Sequence, residues 1–117
     1  MDRISIEALR VNTIIGIHPH EQAGKQPVVI NIDIFTDFTA AAASDDIADT
    51  ASYGDVARAV TAFVESSRLN LVETLAERIA GLLLDRFNID HVIVRVAKPQ
   101  AVANADTISV TIERQRH

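Results

Sequence analysis

The chain has 117 residues, 48% of them apolar, and a formal charge of −5 at pH 7. That length fits a single domain over residues 1–117, with enough apolar content for a buried core. The acidic excess argues against a nucleic-acid partner, and the absence of cysteine excludes disulfides, thiolate metal sites and cysteine nucleophiles.

The opening MDRISIEALR holds no apolar run of signal-peptide length, and no later stretch could span a bilayer. The expectation is a soluble, cytoplasmic protein without a membrane partner. Alternation with period two then marks four strands. The first runs from Arg3 to Ile17. Ile4, Ile6 and Ala8 share one parity, and Leu9, Val11, Ile15 and Ile17 share the other. The switch at Ala8–Leu9 predicts a bulge or bend.

GIHPHEQ follows, residues Gly16 to Gln22. His18, His20 and Glu21 are metal-ligand types. An H-x-H with one glutamate in a loop falls short of a usual zinc set, so no metal is expected. The second strand runs from Val28 to Phe38, with Val28, Ile30, Ile32 and Ile34 on one face. The alanine-rich and then acidic AAAASDDIAD reads as a connection with at most one turn.

Two helical patterns come next. Ser52 is a suitable N-cap with Asp55 three residues on, and Val56, Val60, Phe63 and Val64 form a stripe. The second helix begins near Leu71 and ends near Phe87, with Leu75, Ile79, Leu82 and Leu83 recurring; Asn70 is its candidate cap. HVIVRVAK and TISVTIER are the third and fourth strands, with Val92, Val94 and Val96 together and Ile108, Val110 and Ile112 together. The order ββααββ gives an α+β fold. Its four-stranded antiparallel sheet carries two helices on one face, and Ser5, Asn31, Asp33, Arg95, Ser109, Thr111 and Glu113 lie on a polar opposite face.

Four side chains could carry chemistry. Lys98 ends the third strand on the apolar parity, just before Pro99. It is either a snorkelling stem or a general acid–base group whose neutral form partial burial would favour. Glu73 is either a capping-box residue or a carboxylate that accepts two parallel N–H groups from a flat heterocycle. Tyr53 is either a staple into the core or a phenol that stacks on a ring or relays a proton. Glu21 is either a solvated loop charge or a member of the same site.

GIHPHEQ, SYGDV, LVETLAERIA and AKPQAVANADTISVTIER together resemble the dihydroneopterin aldolase family over nearly the whole chain. The resemblance implies a tunnelling fold, assembled through sheet edges into rings around a central tunnel, as tetramers or stacked octamers. It implies a metal-free and cofactor-free retro-aldol cleavage of 7,8-dihydroneopterin. Glu73 and the backbone of Val72 would hold the pterin, and Glu21 would lie near the substrate side chain. Lys98 would move protons, and Tyr53 would reach in from a neighbouring subunit as both catalytic and binding residue. His20 departs from an aromatic residue that some relatives carry before this glutamate. A dihydroneopterin triphosphate 2′-epimerase on the same fold is the nearest alternative; a non-catalytic pterin- or purine-binding module is a more remote one.

Overall fold

The computed structural model describes residues 1–116. In chain order the elements are β1 (Asp2–Ile15), α1 (Pro19–Gln22), β2 (Gln26–Thr36), α2 (Thr39–Ser44), a 3₁₀ turn (Ile47–Asp49), α3 (Tyr53–Glu65), β3 (Arg68–Leu69), α4 (Val72–Arg86), β4 (His91–Lys98) and β5 (Ile108–Gln115). The sheet order is β3-β1-β2-β4-β5. β1, β2, β4 and β5 form the antiparallel four-stranded sheet that the alternation predicts.

Alternation decides which face is buried. Val28, Ile30, Ile32 and Ile34 of β2 and Val92, Val94 and Val96 of β4 are all fully buried. Against them pack Val56, Val60 and Val64 of α3 and Leu75, Ile79 and Leu83 of α4. Each fully buried aliphatic side chain of this kind contributes roughly 1.5–3 kcal/mol. The predicted bulge is present: the β1–β2 register slips between Ile6 and Leu9, and Ala8 sits at φ 55°. A left-handed alanine is strained. Its amide is held there by the side-chain oxygen of Asn31.

Ser52 caps α3 as expected, accepting from the Asp55 amide at 3.4 Å. Thr13 is buried and donates through Oγ1 to the Val64 carbonyl at 2.6 Å, which ties the C-terminal end of α3 to β1. On the outer side, Arg114 of β5 makes a forked pair with Glu77 of α4, with Nη2–Oε1 at 2.8 Å and Nε–Oε2 at 3.0 Å.

Several boundaries and small elements differ from the sequence reading. β3 adds a fifth, two-residue strand that pairs parallel to Ile14 and Ile15 of β1. The alanine run forms a six-residue helix, α2, closed by Asp45 in the left-handed region at φ 56°. β1 stops at Ile15 because Gly16 turns the chain at φ 133°, leaving Ile17 exposed. The N-cap of α4 is Leu71, with no side-chain cap, so Asn70 does not cap it.

The chain is elongated, 51 Å by 26 Å by 25 Å. β1 sets the long axis, since its 14 residues reach about 46 Å at the usual rise. β5 is an open edge, and the face opposite the helices is polar; there Ser5 donates to Asp33 at 2.6 Å. Among the described residues no helix is long and apolar enough to cross a membrane.

Candidate active site

The site begins where β1 ends. Gly16 takes a φ that L side chains avoid, and a Cβ there would overlap the Glu21 carboxylate. The next turn is the short α1. Pro19, at its first position, pre-sets the helical φ, and the Glu21 and Gln22 amides bond to the His18 carbonyl at 3.0 and 3.1 Å. The turn folds the Glu21 side chain back over Gly16. There the His18 amide donates to Oε1 at 3.3 Å, and the Gln26 carboxamide donates to Oε2 at 3.1 Å.

Lys98, at the end of β4, meets the same carboxylate. Its Nζ lies 2.7 Å from Oε2, and the two side chains are 12% and 11% exposed. The Lys98 hydrogen bond holds the Glu21 carboxyl at about 2, below its ordinary 4.5, with the Gln26 and His18 hydrogen bonds assisting and burial opposing. Glu21 is therefore an ionised acceptor across the neutral range. Parity placed Lys98 correctly on the buried face. Its partner there is the Glu21 carboxylate, so the stem does not snorkel into open solvent. Oε2 has both lone-pair directions occupied, whereas Oε1 keeps one for a hydroxyl donor. Lys98 keeps two N–H directions beyond the one it spends on Glu21.

The N-terminal end of α4 is stitched to this turn. The Gly16 amide donates to the Leu69 carbonyl at 3.1 Å, and the Gln22 carboxamide reaches the same carbonyl at 3.3 Å. Three residues on, α4 opens with the half-buried Val72 and the exposed Glu73. Leu71 occupies the cap position without a side-chain bond, which leaves the Glu73 carboxylate without a capping-box role. An acceptor in the first helical turn is favoured by the helix dipole, and the strand pairing brings this one to the Glu21–Lys98 end of the sheet.

Tyr53 is elsewhere. It is 62% exposed at the first residue of α3, so it is not a staple into the core. Thr13 anchors the opposite end of that helix near the strand that leads to Glu21. Thirteen residues of helix separate the two ends, about 20 Å along the axis. Tyr53 thus opens the end of α3 away from the one that Thr13 holds to β1.

An open depression of about 410 Å³ adjoins the pair, lined by His18, His20, Glu21, Lys25, Gln26 and Gln100 among others. His18 and His20 lie parallel, with ring centroids 5.6 Å apart. No group of three or more histidine, aspartate or glutamate side chains converges for a metal among the described residues. Neither Lys98 nor Glu73 lines this depression; a single chain presents the parts of the site along an open surface. Gly16, Gln22 and Gln26 were missed in the sequence reading. None of them interrupts the alternation, which runs on through Ile15 and Ile17.

Comparison with known proteins adds to this geometry. The family model "FolB: Dihydroneopterin aldolase" matches residues 4–113. The chain is 46% identical to the dihydroneopterin aldolase of Escherichia coli (strain K12), covering 97% of this chain and 93% of that protein. It superposes with a TM-score of 0.94 on a crystal structure of E. coli dihydroneopterin aldolase in complex with neopterin, at 46% identity over 97% of this chain and 99% of that one. A dihydroneopterin triphosphate 2′-epimerase of Pseudomonas aeruginosa is more distant, at 32% identity over 99% of this chain and 94% of that protein.

Proposed function

The chain belongs to the dihydroneopterin aldolase family, and we propose how its own residues carry out the cleavage. It is a lyase of folate biosynthesis, and its substrate is a pterin. The observation that carries the reading is the nearly buried Glu21–Lys98 pair, next to the Gly16 that bonds to Leu69 shortly before α4.

Glu73 anchors the pterin by accepting two parallel N–H bonds from its 2-amino and ring N–H edge, and the Val72 backbone supplies a second contact. The flat ring then leads its side chain towards Glu21. The open lone pair of Oε1 accepts a hydroxyl of that side chain and orients it. Lys98 moves the protons: in its neutral form one N–H stays on Glu21 and the lone pair takes the 2′-hydroxyl proton. The 2′-hydroxyl proton is removed, the C1′–C2′ bond breaks, and glycolaldehyde leaves. The electron pair enters the pterin, whose N5 is protonated. Return of a proton to C1′, with loss of the proton from N5, gives 6-hydroxymethyl-7,8-dihydropterin. Because the ring is the electron sink, this route uses neither a metal nor a lysine Schiff base.

Tyr53 comes from a second copy of the chain. Its exposure supports this, as do the elongated shape and the open β5 edge. The assembly is a ring tetramer or a stacked octamer, acting in the cytoplasm.

The test is product analysis. The protein is incubated in excess EDTA with 7,8-dihydroneopterin and, separately, with its triphosphate. Glycolaldehyde release from the first substrate supports the aldolase reading. Epimerisation of the triphosphate without cleavage of dihydroneopterin would transfer the assignment to the 2′-epimerase. Activity lost on chelation would reject the metal-free route.

A further inference from the structure

The Gln26 side chain opens β2 and makes two bonds with one nitrogen: Nε2 lies 2.8 Å from the Ile15 carbonyl and 3.1 Å from Glu21 Oε2. It thus joins the last residue of β1 to the carboxylate that receives Lys98. Oε2 accepts from Gln26 and Lys98 together, while the His18 amide takes only one direction at Oε1. Below the carboxylate, Gly16 removes the Cβ that would otherwise occupy its place. Without the Gln26 donor, the Glu21 side chain can rotate about its last bond and exchange which oxygen faces Lys98.

We propose that Gln26 is a positioning residue for the cleavage: by occupying one lone pair of Glu21 Oε2 and fixing that oxygen against Ile15, it leaves Oε1 for the substrate hydroxyl and sets the direction of the Lys98 amine. This rests on the reading of the Glu21–Lys98 pair given above. Gln26 acts through Glu21, so its effect belongs in the chemical step. The pterin ring is held at α4 and does not depend on it.

The test combines Gln26→Met, which keeps the length and loses the donor, with Gln26→Glu, which keeps the shape. Both are made in the natural chain and in a Glu21→Ala background. Cleavage is followed by single turnover with enzyme in excess, which reads slow variants. The expected result is an approximately tenfold fall in kcat for each Gln26 variant, with neopterin affinity changed less than about threefold. In the Glu21→Ala background the same changes alter kcat less than about twofold, because the oxygen that Gln26 orients is gone. An equal loss in both backgrounds would mean that Gln26 only braces the β1–β2 junction, and would overturn the proposal. So would unchanged kcat, or a loss confined to KM, which would make Gln26 a direct substrate contact. If Gln26→Met fails to fold, Gln26→Glu carries the same comparison. Lys98→Met is run alongside. If it still cleaves, the underlying reading of the pair fails; if it is inactive while the Gln26 variants are normal, only this inference fails.

Discussion

Lys98 and Glu21 are 77 positions apart in sequence, and their side chains meet at 2.7 Å, both nearly buried. The lysine comes from the end of a central strand and the glutamate from a single helical turn that Gly16 and Pro19 force back over the sheet. A fixed acceptor and a fixed amine are thereby held before substrate arrives, the preorganisation that the proposed proton transfer would use.

Gly16 is the first place to test this. Gly16→Ala adds a Cβ in a left-handed conformation and into the Glu21 carboxylate. The expected cost is about 1–3 kcal/mol of stability, seen as a lower thermal midpoint. Cleavage falls further than stability explains, measured on the fraction that remains folded. A variant with unchanged kcat would show that the seat of the carboxylate does not matter.

The pair also predicts acid behaviour. The Glu21 carboxyl is lowered in the fold from 4.5 to about 2. A depressed folded value stabilises the native state fully above the unfolded value, and that stabilisation is lost as pH falls from about 4.5 towards 2. Its size is about 3 kcal/mol at most. Denaturant titrations across this window are expected to show a slope that Lys98→Met flattens. An unchanged slope in that variant would remove Lys98 as the main cause.

Thr13 offers a test of the scaffold that leaves the site untouched. Thr13→Val removes a buried donor to the Val64 carbonyl, which keeps only its bond from the Ser67 amide. The expected loss is about 0.5–1.5 kcal/mol by chemical denaturation, with kcat per folded molecule preserved. A neutral effect on stability would mean that water or a shifted helix end replaces the bond.

The placement of Tyr53 predicts complementation. Tyr53→Ala and Lys98→Met are each expected to be inactive. Co-assembled at random, they should recover about a quarter of natural activity, because each site draws its lysine from one copy and its tyrosine from another. Light scattering should give a mass several times the 12.7 kDa of one chain. A mixture without activity, or an active monomer, would contradict the shared site.

Much of this was legible in the residues. Strict alternation in VVINIDI and HVIVRV can be satisfied only by strands with one buried face, and the parity switch at Ala8–Leu9 marks the bulge. Parity also put Lys98 on the core side. What stayed hidden lies below the reach of periodicity. Two residues of β3 and one turn of α1 are too short to show a pattern. The meeting of Glu21 with Lys98 depends on Gly16 reversing the chain and on β2 bringing β4 alongside, and neither is a local signal. Asn70 looked like a cap because its type favours that position, yet the pairing of Leu69 with Ile15 carries the extended backbone on to Leu71.

The most direct measurement separates holding from chemistry. Neopterin affinity and single-turnover glycolaldehyde release are compared for the natural chain, Lys98→Met and Glu73→Gln. The expected outcome is near-natural affinity with a loss of cleavage of at least about 10²-fold for Lys98→Met, and lost affinity for Glu73→Gln. Lys98→Met that binds and still cleaves at the natural rate, or that loses binding alone, would contradict the assignment of proton transfer to the amine beside Glu21.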